Sequence, residues 1–174
     1  MKKLIFVFPF MFVLFASLQA QDYKSSIGLR LGSPMSVSFK TFLGEESAFE
    51  VTAGTKGYNS RYDAYNYRWY SVSAAYQIHK PVNIDFDGME NLKYYYGAGA
   101  SAYFWTWDYE SGYSDDGFST TTFGIQGYVG LEYTFENIPL NIAVDWVPTF
   151  FVNGFGNGFG AGYGGIALRY VLFQ

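Results

Sequence analysis

With 174 residues the chain has room for one domain core and not for two. It has no cysteine, which excludes disulfide staples, a lipid-modified cysteine anchor and thiolate metal centres. The net charge of −4 leaves no basic surface of the kind that holds nucleic acid.

Residues 1–20 read as an export signal. Lys2 and Lys3 form a basic start, residues 4–15 are almost wholly apolar, and the small residues Ala16, Ser17 and Ala20 close the segment. The apolar run is short of the roughly 20 residues that a spanning helix needs. Cleavage is expected between Ala20 and Gln21, leaving residues 21–174 as the mature domain. Loss of the two lysines leaves 9 of the 11 basic residues against 15 acidic ones, a net charge of −6.

The mature part is rich in Tyr, Phe and Gly, yet the mean hydropathy of the chain is zero. Apolar residues spaced one in two positions produce that average, as in a barrel whose lipid-facing and lumen-facing residues alternate. Eight such alternations follow in chain order. Ile27, Leu29 and Leu31 alternate with Gly28 and Arg30, then Val37 and Phe39 with Ser38 and Lys40. Phe49, Val51 and Ala53 alternate with Glu50 and Thr52, and Tyr70 to Ile78 alternate with Ser71 to His79. Residues 92–105 and 122–135 carry the longest alternations, and 140–146 and 166–172 the last two. An even count of eight predicts an all-β fold, an eight-stranded antiparallel up-and-down transmembrane β-barrel. Longer connections at 57–67, 106–121 and 153–160, with the short 32–34, fall on one side and are expected outside the cell. The connections at 44–47, 80–91 and 136–139 fall on the other.

A soluble lipocalin-like barrel also alternates, with its apolar face inward. Two features favour the membrane. Tyr94 and Phe104, like Phe123 and Tyr133, share a face ten residues apart. Ten steps of about 3.3 Å, tilted by about 40°, project to about 25 Å, the height of a lipid-facing band between aromatic girdles. The charges Arg30, Lys40, Glu50, Glu132, Asp145 and Arg169 all fall opposite the apolar faces. Three are basic and three acidic, so they are expected to pair across a lumen just wide enough for side chains.

The chain end sets Gly165, Leu168 and Tyr170 in a Gly-x-x-hydrophobic-x-aromatic pattern, followed by Val171, Leu172 and Phe173. This resembles the C-terminal assembly signal of outer-membrane barrels. Gly164 stands where that signal has a polar residue, and the chain ends on Gln174 rather than an aromatic. With the signal segment, the girdles and the eight alternations, residues 22–174 resemble the OmpA-like and OmpX-like small outer-membrane barrels. The resemblance implies residence in the bacterial outer membrane among its lipid and lipopolysaccharide, insertion by the outer-membrane assembly machinery, periplasmic termini and a monomer.

Some members of that family remodel lipid A with a His beside a Ser and a carboxylate near the outer leaflet. The single histidine here, His79, falls at the periplasmic end of its strand, where an interfacial polar side chain is the simpler reading. No catalytic set, cofactor or metal site is expected. Asp108, Glu110, Asp115 and Asp116, like Asp85, Asp87, Gly88 and Glu90, do not keep the spacing of a calcium loop. Tyr58, Tyr62, Tyr65 and Tyr67 lie in an outside connection with Asn59, Arg61 and Arg68, a composition suited to surface recognition or to rim packing at the headgroups. The reading is a structural barrel that presents four surface loops and conducts nothing. Its alternatives are a surface adhesion or ligand-binding barrel acting through the Tyr-rich and acidic loops, and a secreted lipocalin-like carrier.

Overall fold

Side chains two residues apart share one face of a strand, and among the described residues ten strands form on the alternations described above. They are β1 (Ser25–Ser33), β2 (Met35–Phe42), β3 (Ser47–Asn59), β4 (Tyr65–Pro81) and β5 (Leu92–Tyr109), then β6 (Phe118–Thr134), β7 (Leu140–Trp146), β8 (Thr149–Phe151), β9 (Gly158–Gly160) and β10 (Gly164–Phe173). The computed structural model describes residues 24–59, 65–83, 91–109, 118–153 and 158–173. Every strand pairing among the described residues is antiparallel, in the order β5-β4-β3-β2-β1-β10-β7-β6, and β5 also pairs β6. The sheet therefore closes on itself.

Two staves of the wall are each made of two strands. β7 and β8 keep one register against β6, with Val129 opposite Trp146 and Gln126 opposite Thr149. Pro148 interrupts them because it has no N–H for the ladder, while its carbonyl still accepts from Gly127 N at 2.9 Å. β9 and β10 form the eighth stave, broken at residues 161–163 and restarted at Gly164, whose φ of 130° favours glycine. The result is an eight-stave, all-antiparallel, up-and-down β-barrel. The circuit from Ser26 through Lys40, Glu50, Ala75, Gly99, Gln126 and Thr149 ends at Gly160, eleven residues before Val171, which faces Ser26 directly. That stagger tilts the staves, by about 35–45° in barrels of this kind.

The two faces of the wall are inverted relative to a water-soluble protein. Outward positions carry Leu29, Val37, Val51, Val72, Ile125, Val129, Val144 and Leu168, all exposed, with Val129 at 57 %. Tyr94, Phe104, Phe123, Tyr70 and Tyr170 stand outward nearer the ends. The inward positions are polar: Lys40, Gln77, Asn141, Thr122 and Arg169 are each fully buried. Along β4 the outward face is free of charge from Tyr70 to Ile78 and bounded by Arg68 and Lys80.

The strands reach further toward the loop end than the alternation suggested. Residues 57–59 and 65–67 belong to β3 and β4 rather than to a loop, and 106–109 and 118–121 belong to β5 and β6. Between β1 and β2 only Pro34 remains outside the strands. Within the connection read as 153–160, Gly158–Gly160 pairs with β8.

Candidate functional site

The lumen gathers one side chain or more from every stave. Arg30 comes from β1, Lys40 from β2, Glu50 from β3, Glu132 from β6, Asp145 from β7 and Arg169 from β10. All six lie inside the barrel, and they form one chain of alternating sign. Arg30 Nη2 meets Asp145 Oδ1 at 2.5 Å and Arg30 Nη1 meets Glu50 Oε1 at 3.8 Å. Arg169 Nη2 donates to the same Glu50 oxygen at 2.6 Å, and its Nη1 lies 3.6 Å from Glu132 Oε2. Lys40 Nζ completes the chain, 2.7 Å from Glu132 Oε2.

Neutral neighbours take up further hydrogen-bonding sites. Gln77 Nε2 donates to Glu50 Oε2 at 2.7 Å, and Tyr95 OH donates to Asp145 Oδ2 at 2.7 Å. Arg169 Nε donates to Ser38 Oγ and Nη1 to Asn141 Oδ1. Three positive and three negative charges thus balance within one network, which matters because an unpaired buried charge costs several kcal/mol. Tyr95 also lies 4.4 Å beneath Lys40 Nζ, centroid to nitrogen. Its ring fits because its register partner is Gly130, where a Cβ would come within 2.6 Å of the ring.

His79 corrects the sequence reading. It is not an interfacial side chain: it is buried in the lumen, stacked on Tyr95 with ring centroids 4.9 Å apart and in contact with Phe42. Lys40 Nζ lies 3.3 Å from its Nε2, and since an ammonium can only donate, Nε2 accepts. Glu132 Oε1 is 3.8 Å from the same nitrogen. The missed members His79, Gln77 and Tyr95 were within reach of the sequence, since each keeps the parity of the small and polar residues on its own strand.

Toward the loop end the lumen turns aromatic. Gln126 Nε2 bridges Tyr103 OH and Thr149 Oγ1, and Tyr128 OH donates to Gln126 Oε1. Above it Trp69, Tyr103 and Phe151 pack together, with Trp105 and Tyr163 against them. Of the recognition tyrosines, Tyr58 lies in β3, Tyr65 and Tyr67 lie in β4, and Tyr62 lies outside the described residues. Asp108 falls in β5, whereas Glu110, Asp115, Asp116, Asp85, Asp87 and Glu90 lie outside the described residues. No group of three or more metal-ligating side chains occurs among the described residues. No protein-family model matches the chain, and neither does any curated protein.

Coupling within the lumen can be measured directly. Glu132→Ala and Arg169→Ala should each destabilise the barrel, and the double variant should lose less than the two losses added, by about 0.5–3 kcal/mol. Full additivity in urea titrations would mean that the 3.6 Å approach of Arg169 to Glu132 carries no energy.

Proposed function

We propose that the protein is an integral outer-membrane β-barrel that acts as a structural scaffold and presents its loop end at the cell surface. One observation carries this reading: a closed wall whose outward band is apolar and uncharged, around a lumen that holds the ions. In lipid, a closed barrel satisfies every ladder N–H and C=O and leaves no edge. In water the same outward band would be a continuous exposed apolar surface far larger than soluble monomers carry. The filled, charge-paired lumen argues against solute conduction, and it is a poor container for the apolar cargo of a lipocalin-like carrier. The resemblance to the OmpA-like and OmpX-like barrels supports the same assignment, with the termini and the short turns on the periplasmic side and lipopolysaccharide around the loop end. No catalytic role is proposed for His79, whose contacts are those of a packed lumenal side chain.

Fractionation tests this reading. The protein should sediment with outer membranes, resist carbonate washing, and need detergent for release. It should also migrate differently on gels before and after boiling, because a closed barrel resists unfolding by detergent at room temperature. Recovery in the detergent-free soluble fraction would overturn the assignment and favour a secreted barrel.

A further inference from the structure

The outward face of β4 carries a cation at each end, and the two cations are not treated alike. Arg68 and Lys80 stand twelve residues apart, with only Tyr70, Val72, Ala74, Tyr76 and Ile78 between them on that face. Twelve steps of about 3.3 Å, tilted by about 40°, project to about 30 Å, the thickness of a bilayer's hydrocarbon core. Each cation therefore stands at the level where lipid headgroups begin. At the end nearer Pro81, Lys80 Nζ meets Glu46 Oε2 at 2.5 Å, so the chain supplies its own anion there. At the loop end it supplies none. Among the described residues neither Arg68 nor the nearby exposed Lys56 forms an ion pair, and Lys56 Nζ donates only to the neutral Ser33 Oγ, at 2.9 Å.

The surroundings of Arg68 suit an anion that arrives from the lipid. Its register partners are Gly57 on β3 and Thr106 on β5, both exposed. A Cβ built on Gly57 would have Arg68 Nε as its nearest neighbour, at 4.0 Å, so the arginine stem borders an open strip of wall. A guanidinium presents a planar fork of N–H groups that binds phosphate through two parallel bonds, and it keeps its charge at any physiological pH. The next outward rows below are Thr55, Tyr70 and Phe104, then Ala53, Val72 and Ala102. An acyl chain hanging from a phosphate at Arg68 therefore meets uncharged wall, with small side chains on either side of Val72. From this placement we propose that Arg68 binds the phosphate of an outer-leaflet phosphorylated glycolipid whose acyl chains lie along β4, with Lys56 adding to the positive field. The proposal rests on the surface-presenting reading above, which puts the loop end in that leaflet.

Native mass spectrometry of the full mature chain, released from nonionic detergent micelles, tests it. The probes are diphosphoryl lipid A, the same lipid dephosphorylated, phosphatidylglycerol and inorganic phosphate. Diphosphoryl lipid A should be retained at least tenfold more tightly than its dephosphorylated form. Arg68→Gln should bring that preference below threefold, while Lys80→Gln, at the other rim, should leave it as in the parent. Thr106→Glu takes the place of Arg68→Gln if the latter loses its unboiled gel mobility. It sets a carboxylate beside the guanidinium, as Glu46 stands beside Lys80, and should bring the same loss. Several results overturn the proposal: equal retention of the two forms of lipid A, a preference that survives both Arg68→Gln and Thr106→Glu, or equal damage from Lys80→Gln. Tighter binding of phosphatidylglycerol, or of inorganic phosphate, would overturn it as well, since the occupant would then be another anion. Fractionation, not this measurement, decides the membrane assignment, so a protein that sediments with membranes yet ignores the phosphate loses this site alone.

Discussion

Val129→Arg should lower the stability of the barrel in phospholipid vesicles by about 2–4 kcal/mol, whereas Thr121→Arg should cost only about 0–1 kcal/mol. Both residues lie on the outward face of β6. Val129 is 57 % exposed and sits between the girdle residues Phe123 and Tyr133 on the same face. Thr121 is half-buried, two residues beyond Phe123 toward the loop end and opposite Phe104. At the middle of a bilayer a guanidinium loses its hydration, and snorkelling along the wall recovers only part of it; at the rim it reaches headgroups and water. The comparison separates membrane from water because Val129 is the more exposed of the two, so only a surrounding bilayer makes it the costlier site. In a water-soluble barrel an arginine at so exposed a site would cost within about 0.5 kcal/mol, as surface substitutions do. Urea titration of the three proteins in vesicles, followed by tryptophan fluorescence, reads the difference. Equal losses at the two positions would remove the case for a lipid-facing band.

The faces of the wall were legible in the sequence, and the ends of the strands were not. Parity places Arg30, Lys40, Glu50, Glu132, Asp145 and Arg169 inward, because a two-residue period is insensitive to small errors in a strand's limits. The limits themselves were read from the outward apolar signal, and that signal stops at the edge of the band. Past Thr55 the apolar alternation gives way to Lys56, Gly57 and Asn59, which the pattern reads as a loop, although the backbone ladder continues to Asn59 opposite Asn66. The position of His79 is hidden for a related reason. Its place near the end of β4 suggests an interface, but the tilt and stagger of the staves carry that end of the face inside, against Lys40 and Tyr95. The breaks in the last two staves depend on single residues, Pro148 and Gly164, that interrupt the backbone ladder without disturbing the alternation around them.

Glu50→Ala should destabilise the barrel by about 3–5 kcal/mol, the cost of breaking a buried ion pair by removing one partner. Glu50 is the midpoint of the lumenal chain. One oxygen takes Arg169 at 2.6 Å and approaches Arg30 at 3.8 Å, and the other accepts from Gln77 at 2.7 Å. Without that carboxylate the network holds Arg30, Lys40 and Arg169 against Glu132 and Asp145 alone, an excess of one positive charge. Arg30 keeps Asp145, but Arg169 is left with Glu132 at 3.6 Å and with the neutral Ser38 and Asn141. A neutral control isolates the charge: Ser36→Ala, also buried and inward, should lose about 1 kcal/mol at most. Glu50→Gln should fall between the two, since an amide can still accept from Arg169 but cannot balance it. The size of the loss also reports on the lumen itself. A water-filled channel would solvate the stranded guanidinium and shrink the penalty toward the 0–1 kcal/mol or so of an exposed pair. A loss below about 1 kcal/mol for Glu50→Ala in vesicles would therefore mean a wet lumen, and with it a barrel able to pass small ions.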